Sequence, residues 1–177
     1  HYLTVTDTNG CMVADTIILT EPMSFSLTAT LSDFNGYNVP CFGDSAGCVS
    51  VVIAGGASLF TYSWAIQDIV DMPMICILPA DTIGLRVTDD NGCVLDSTFI
   101  LTAPQAIGLN GILSQYSGFN VQCFGFNNGS VNLVVSGGVA PFNYLWSTGD
   151  TIEDINNLSA LTYQVQVTDT NGCVDTA

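Results

Sequence analysis

Apolar and polar residues alternate with a period of two in short runs along this chain, and helical periodicity is scarce. Leu3 and Val5 alternate with Thr4 and Thr6. Phe25–Leu31 reads Phe-Ser-Leu-Thr-Ala-Thr-Leu, followed by Val49–Ile53, then Phe60–Trp64 with three aromatics on one face, then Leu85 and Val87, then Val94–Leu101. Val131–Val135 and Pro141–Trp146 repeat the middle of this series. Gly, Pro and Asn cut the runs, as turn chemistry requires. About seven short strands per unit predict an all-β fold of antiparallel, immunoglobulin-like β-sandwiches. Trp64 and Trp146 are expected to plug the cores between the sheets. The stretch 65–77 shows no clear period and reads as irregular.

The strongest organising signal is a heptapeptide written three times. Val-Thr-Asp-Thr-Asn-Gly-Cys stands at Val5–Cys11, at Val87–Cys93 with Asp90 as its fourth residue, and at Val167–Cys173. The spacing is 82 positions and then 80, the size of one small domain. Leu19-Thr20-Glu21-Pro22 likewise matches Leu101-Thr102-Ala103-Pro104. The division that follows is residues 1–22 as the C-terminal hairpin of a preceding repeat, 23–104 as a complete repeat, and 105–177 as a repeat lacking its last strand. The chain starts and stops inside a repeat, so a segment of a longer protein is expected.

Charge narrows the partners. Sixteen Asp and Glu face a single cation, Arg86, for a formal net charge of −15. Such a chain repels phosphate backbones and anionic headgroups, so nucleic acid and membrane surfaces are excluded as partners. No apolar run reaches the roughly 18 residues that would insert into a bilayer. An acidic surface suits divalent cations and a saline, extracellular setting. The only histidine is His1 and there is no lysine, which removes Ser-His-Asp, Cys-His and Schiff-base devices; the chain is not expected to be an enzyme.

Seven cysteines point to export. Aligning the copies sets Cys41 opposite Cys123 and Cys93 opposite Cys173, one early and one late cysteine in each unit. The expected bonds are therefore Cys41–Cys93 and Cys123–Cys173. Cys48 and Cys76 are replaced together by Ser130 and Asn156 in the second unit, as a bonded pair should be, so Cys48–Cys76 is the third. Cys11 is left for a partner in the preceding unit.

The combination Cys-Phe-Gly, Gly-Gly, Pro-Phe-Asn-Tyr-Leu-Trp-Ser-Thr-Gly and Tyr-Gln-Val-Gln-Val-Thr-Asp-Thr-Asn-Gly-Cys resembles the SprB repeat over nearly the whole chain. The first unit departs from it, with Ser58-Leu59 where Pro is usual and no Ser-x-Gly turn in 65–77. The resemblance implies very long surface adhesins of gliding Bacteroidota, exported by type IX secretion. It thus implies an extracellular or cell-surface place, an adhesive or motility role, and neighbouring repeats or copies in a filament as partners.

Three groups of residues carry candidate chemistry. Asp7/Asn9, Asp89/Asn91 and Asp169/Asn171 resemble a fragment of a calcium loop. A full loop needs more oxygen ligands and a distal bidentate Glu, and tight-turn chemistry explains these residues by itself. The expectation is no resident cofactor, with calcium as the ion these turns would take. Asp followed by Ser or Thr and a small aliphatic or Thr occurs at Thr16, Ser45, Thr82, Ser97, Thr151 and Thr176, a triplet similar to the O-glycosylation site of that phylum. Asn128-Gly-Ser and Asn157-Leu-Ser fit N-glycosylation, a secondary reading for a bacterium. Tyr37, Tyr116 and Phe119 are the aromatics that a carbohydrate-binding module of a secreted enzyme would present to surface polysaccharide.

Overall fold

The computed structural model describes residues 1–66 and 71–177. Part of the irregular stretch 65–77 thus lies outside the described residues. Every described element is a strand, and every pairing is antiparallel. A hairpin of β1 (Tyr2–Thr6) and β2 (Met12–Thr16) comes first, closed by the Asp7–Gly10 turn. The first sandwich contains β3 (Ser26–Leu31), β4 (Gly47–Ala54), β5 (Phe60–Trp64), β6 (Met74–Leu78), β7 (Thr82–Asp89) and β8 (Val94–Ile100). One sheet has the order β3-β4-β6 and the other β5-β7-β8. The second sandwich repeats this order with β9 (Gly108–Leu113), β10 (Gly129–Ser136) and β12 (Ile155–Leu158) against β11 (Asn143–Trp146), β13 (Val165–Thr168) and β14 (Val174–Thr176). Each unit thus has six strands among the described residues, where about seven were expected.

Alternation puts one face of each sheet inward. Val49, Val51, Ile75 and Leu78 meet Trp64, Ile83, Leu85, Val87 and Phe99 in the first core. Val131, Leu133, Ile155 and Leu158 meet Trp146, Val165 and Val167 in a separate second core. Both tryptophans are only 4% exposed, and each indole N–H donates to a loop carbonyl, Met72 for Trp64 and Ile152 for Trp146. They pack as the sequence indicates.

Two expectations need correction. The second unit carries its last strand in short form: β14 pairs with β13, and Ala177 continues the ladder onto Val165. The stretch read as irregular contains β6, which pairs with β4. Its period is broken by a bulge. Gly47 faces Leu78 and Cys48 faces Cys76, which leaves Ile77 as the extra residue, at φ +63°. The matching strand β12 does the same at Asn157, φ +59°.

The two poles of each sandwich explain how the units meet. At one pole of the first unit lie the chain entry at Met23, the Gly55-Gly56 turn and the Asp89–Cys93 turn, joined by Gly56 N–H to Met23 O and Ala57 N–H to Asp89 Oδ2. Gly55 has no substitute there, because a Cβ would sit 1.9 Å from the Ser24 carbonyl oxygen. At the opposite pole lie the Asn38–Cys41 loop, Asp81 and the Leu101-Thr102 exit. The chain leaves the first unit at this second pole. It enters the second unit at the equivalent of the first, where Gly138 N–H donates to Gln105 O. The units therefore follow one another head to tail.

Candidate functional site: the junction between the units

The late turn of the second unit sits on the early loop of the first. The Asp169 carboxylate builds that turn. Its Oδ1 accepts from the backbone N–H groups of Asn171 and Cys173, and its Oδ2 from Val139 N–H. Only 3% of Asp169 is exposed, so its charge is compensated by oriented backbone donors. Asp89 repeats the arrangement with Asn91, Cys93 and Ala57, and is 5% exposed. Its pKa lies below the ordinary carboxylate value, chiefly because Ala57 N–H binds the charged form, with burial opposing the shift. Asp7 makes the two local bonds, to Asn9 and Cys11, in an exposed hairpin. The calcium candidates at 89 and 169 are thus aspartates already saturated by backbone amides, which pin the late turn to the Gly-Gly turn.

Held this way, the second-unit turn presents Asn171 and Cys173 to its neighbour. Asn171 Nδ2 donates to the carbonyls of Pro40 at 3.0 Å and Phe34 at 3.3 Å, while its Oδ1 accepts from Asn35. Cys173 is bonded to Cys41, with Cα atoms 5.7 Å apart. A cleft of about 230 Å³ remains beside this junction, lined by Phe42, Gln105, Asp169 and Val174 among others.

This overturns the expected Cys41–Cys93 and Cys123–Cys173 bonds. The reason is strand length. Cys93 stands at the start of β8, whereas Cys41 lies beside Thr102 past its end, where Thr102 O accepts from Asn38 and Val39 N–H. Nine residues of strand separate the two poles by roughly 30 Å, far beyond the reach of a disulfide. The alignment identified equivalent cysteines correctly but joined them within a unit, when the bond runs between units. Cys48–Cys76 is bonded, across directly opposed positions of β4 and β6. Cys11, Cys93 and Cys123 are exposed thiols among the described residues.

The remaining candidates scatter. Thr16, Ser45, Thr82, Thr151 and Thr176 are exposed and Ser97 is half-buried on β8. At Thr16, Ser45, Thr82 and Thr176 the preceding Asp Oδ1 accepts from the backbone N–H of the hydroxyl residue itself. Tyr37 and Tyr116 are half-buried, and the Tyr116 hydroxyl donates to Asn128 O. Phe119 is 72% exposed. The docking role of Asn171 was missed from sequence, because the repeated Asn-Gly reads as a turn and nothing else.

The second unit also carries an apolar cleft of about 1110 Å³ at its far pole, lined by Leu113, Val121, Cys123, Leu158, Leu161 and Tyr163 among others.

Residues 119–151 match the family model of the SprB repeat. No curated protein and no solved structure matches the chain. The SprB repeat is a structural repeat of cell-surface, adhesin-type proteins and not an enzyme family. The two disulfides accord with an extracellular place. No helix among the described residues is long and apolar enough to cross a membrane.

Proposed function

We propose that this chain is a structural and adhesive segment of a secreted bacterial surface adhesin or filament, built from tandem SprB-like repeats and acting as a stalk in adhesion or gliding motility. The observation that carries this reading is the Cys41–Cys173 bond, which fastens the tail of one sandwich to the head of the next. A covalent link across a head-to-tail junction resists bending and pulling at the point where tandem domains are otherwise joined by one strand of chain. A stiff stalk holds its binding tips away from the cell and lets many weak contacts act together. The match of residues 119–151 to a repeat of surface proteins supports the same reading, and export by type IX secretion goes with it.

Labelling intact source cells with antibody against the chain tests this. Surface filaments should label, and deletion of the coding segment should reduce attachment or spreading. Label confined to the cell interior would overturn the reading. O-glycans on the exposed Thr16, Ser45, Thr82, Thr151 and Thr176 belong to the same proposal. An intact mass of native material equal to the bare polypeptide rules them out. Carbohydrate binding through Phe119 and Tyr116 is the second reading, favoured by the exposure of Phe119 beside the apolar cleft. It requires glycan-array binding that is lost in Tyr116→Ala.

A further inference from the structure

We infer that Asn171 is the positioning residue for the bond between the units: its side chain docks the second sandwich on the first while both cysteines are still thiols, and so makes Cys173 the partner of Cys41. Among the described residues, every hydrogen bond across the junction involves this side chain or the Cys173 sulfur. Asn171 Nδ2 donates to Phe34 O and Pro40 O, and its Oδ1 accepts from Asn35 Nδ2. One amide thus uses both its donors and its acceptor on three residues of the other unit. The contacts lie next to the bond they would prepare. Pro40 immediately precedes Cys41, and Asn171 stands two residues before Cys173. The Cys173 sulfur lies 3.3 Å from the same Pro40 carbonyl, to which its S–H can donate before oxidation. That one carbonyl therefore gathers both the amide and the thiol.

The turn that carries Asn171 stands without that amide. Asp169 Oδ1 holds the backbone N–H groups of Asn171 and Cys173, and Gly172 N–H donates to Asp169 O. Gly172 supplies the left-handed backbone at φ +84°. Asp89 builds the same turn in the first unit through the backbone of Asn91 and Cys93. The side chain at 171 is therefore free to act outward. The receiving loop is fixed as well: Gly36 N–H donates to Asp33 Oδ1, and Phe34 and Tyr37 bond each other through their backbones. Two rigid partners lose little freedom on docking, so a few bonds suffice to orient them. Docking raises the effective concentration of one thiol at the other, which favours the internal bond over mixed disulfides with a small thiol. Three hydrogen bonds at a half-exposed site orient two thiols; holding two cores together through melting takes the disulfide.

Oxidation runs by exchange with glutathione disulfide. One protein thiolate attacks it, giving a mixed disulfide and one glutathione, and the second thiolate displaces the other glutathione. Two protein thiols become one S–S bond, and one glutathione disulfide becomes two thiols. The test uses the full chain with the exposed thiols removed by Cys11→Ser, Cys93→Ser and Cys123→Ser, so that two pairs remain. Equilibration in glutathione buffers, acid quenching and peptide mapping give the effective concentration of each pair. Asn171→Asp keeps the size, the turn and the acceptor for Asn35 but loses both donors. It should lower the effective concentration of Cys41–Cys173 at least about tenfold. Asn35→Gly, which suits the backbone at φ +54°, removes one bond and should lower it about threefold. Cys48–Cys76, inside the first unit, is the reference and should not move in either variant. An unchanged Cys41–Cys173 equilibrium in Asn171→Asp, or an equal fall in both pairs, would overturn the proposal. Neither result bears on whether surface filaments label, so this inference and the stalk reading fail separately.

Discussion

The two sandwiches share strand order, bulge and buried aspartate, and the first shows what seals a far pole. Leu101 closes its far pole, Val39 beside it is fully buried, and Asn38 ties the exit strand down. The matching residue of the second unit is Val121. In the first unit that pole is closed by a short segment after the last strand, one leucine and one threonine. The difference between the units is covalent. The first unit holds an internal staple, Cys48–Cys76, where the second has Ser130 and Asn156. The shared bond, Cys41–Cys173, belongs to neither unit alone.

Breaking that shared bond should have the largest effect. It closes 132 residues of chain, worth about 5 kcal/mol in the chain-entropy account. Cys41→Ser should lower the melting temperature and split a single calorimetric transition into two, one per core. A single unchanged transition would show that the units are coupled by packing alone. Leu101→Ala comes next. It opens the far pole of the first unit, where Leu101 is 2% exposed, and deleting a buried leucine costs about 2–5 kcal/mol. In a Cys41→Ser background, where the two cores melt separately, the loss should fall on the transition of the first unit, identified by Trp64 fluorescence with Trp146→Phe also present. An equal loss on both transitions would mean that the poles are not independent.

Much of the fold was legible because alternation is a local signal. The Phe60–Trp64 run coincides with β5, and Phe25–Leu31 and Val94–Leu101 overlap β3 and β8 to within a residue or so. The bulged strand was not legible, since an extra residue at Ile77 puts two outward residues in succession and destroys the period of two. The partner of Cys41 was illegible for another reason. Periodicity shows which cysteines are equivalent, but whether equivalent positions pair within a unit or across a junction depends on which pole each occupies. Counting nine residues from Cys93 to Thr102 along a strand would have separated the poles, had Thr102 been known to lie beside Cys41. Asn171 hid behind its turn role in the same way, its docking contacts being made with residues more than 130 positions away.

A pH titration sharpens the comparison at the other pole. Asp89 has a folded-state pKa below its unfolded value of about 3.9, so its stabilisation is complete above that value. It is lost as the pH falls through the depressed folded pKa. Asp96 is lowered too, first by its hydrogen bond from Arg86, but that pair is exposed and contributes little. With Cys41→Ser separating the two transitions, that of the first unit should therefore hold steady from pH 7 to about 5 and fall steeply below about 4. In Asp89→Asn that steep fall should be blunted, while an unchanged acid limb would place the acid-sensitive group elsewhere.

The smallest expected effect isolates the bulge. Both units place one residue in left-handed backbone at this point, Ile77 at φ +63° and Asn157 at φ +59°. Asparagine tolerates that region, since its short polar side chain can bond locally. A β-branched residue there pays about 1–2 kcal/mol in contact between Cβ and the following carbonyl. Ile77 is 78% exposed, so replacing it removes no core contact. Ile77→Asn should therefore stabilise the first unit by about 1 kcal/mol, a rise of a few degrees in its melting temperature. The reverse change, Asn157→Ile, should cost the second unit a similar amount. If both substitutions were neutral, the bulge would be held by the adjoining Cys48–Cys76 staple and by Leu158 packing, and not by the conformational preference of the residue at its apex.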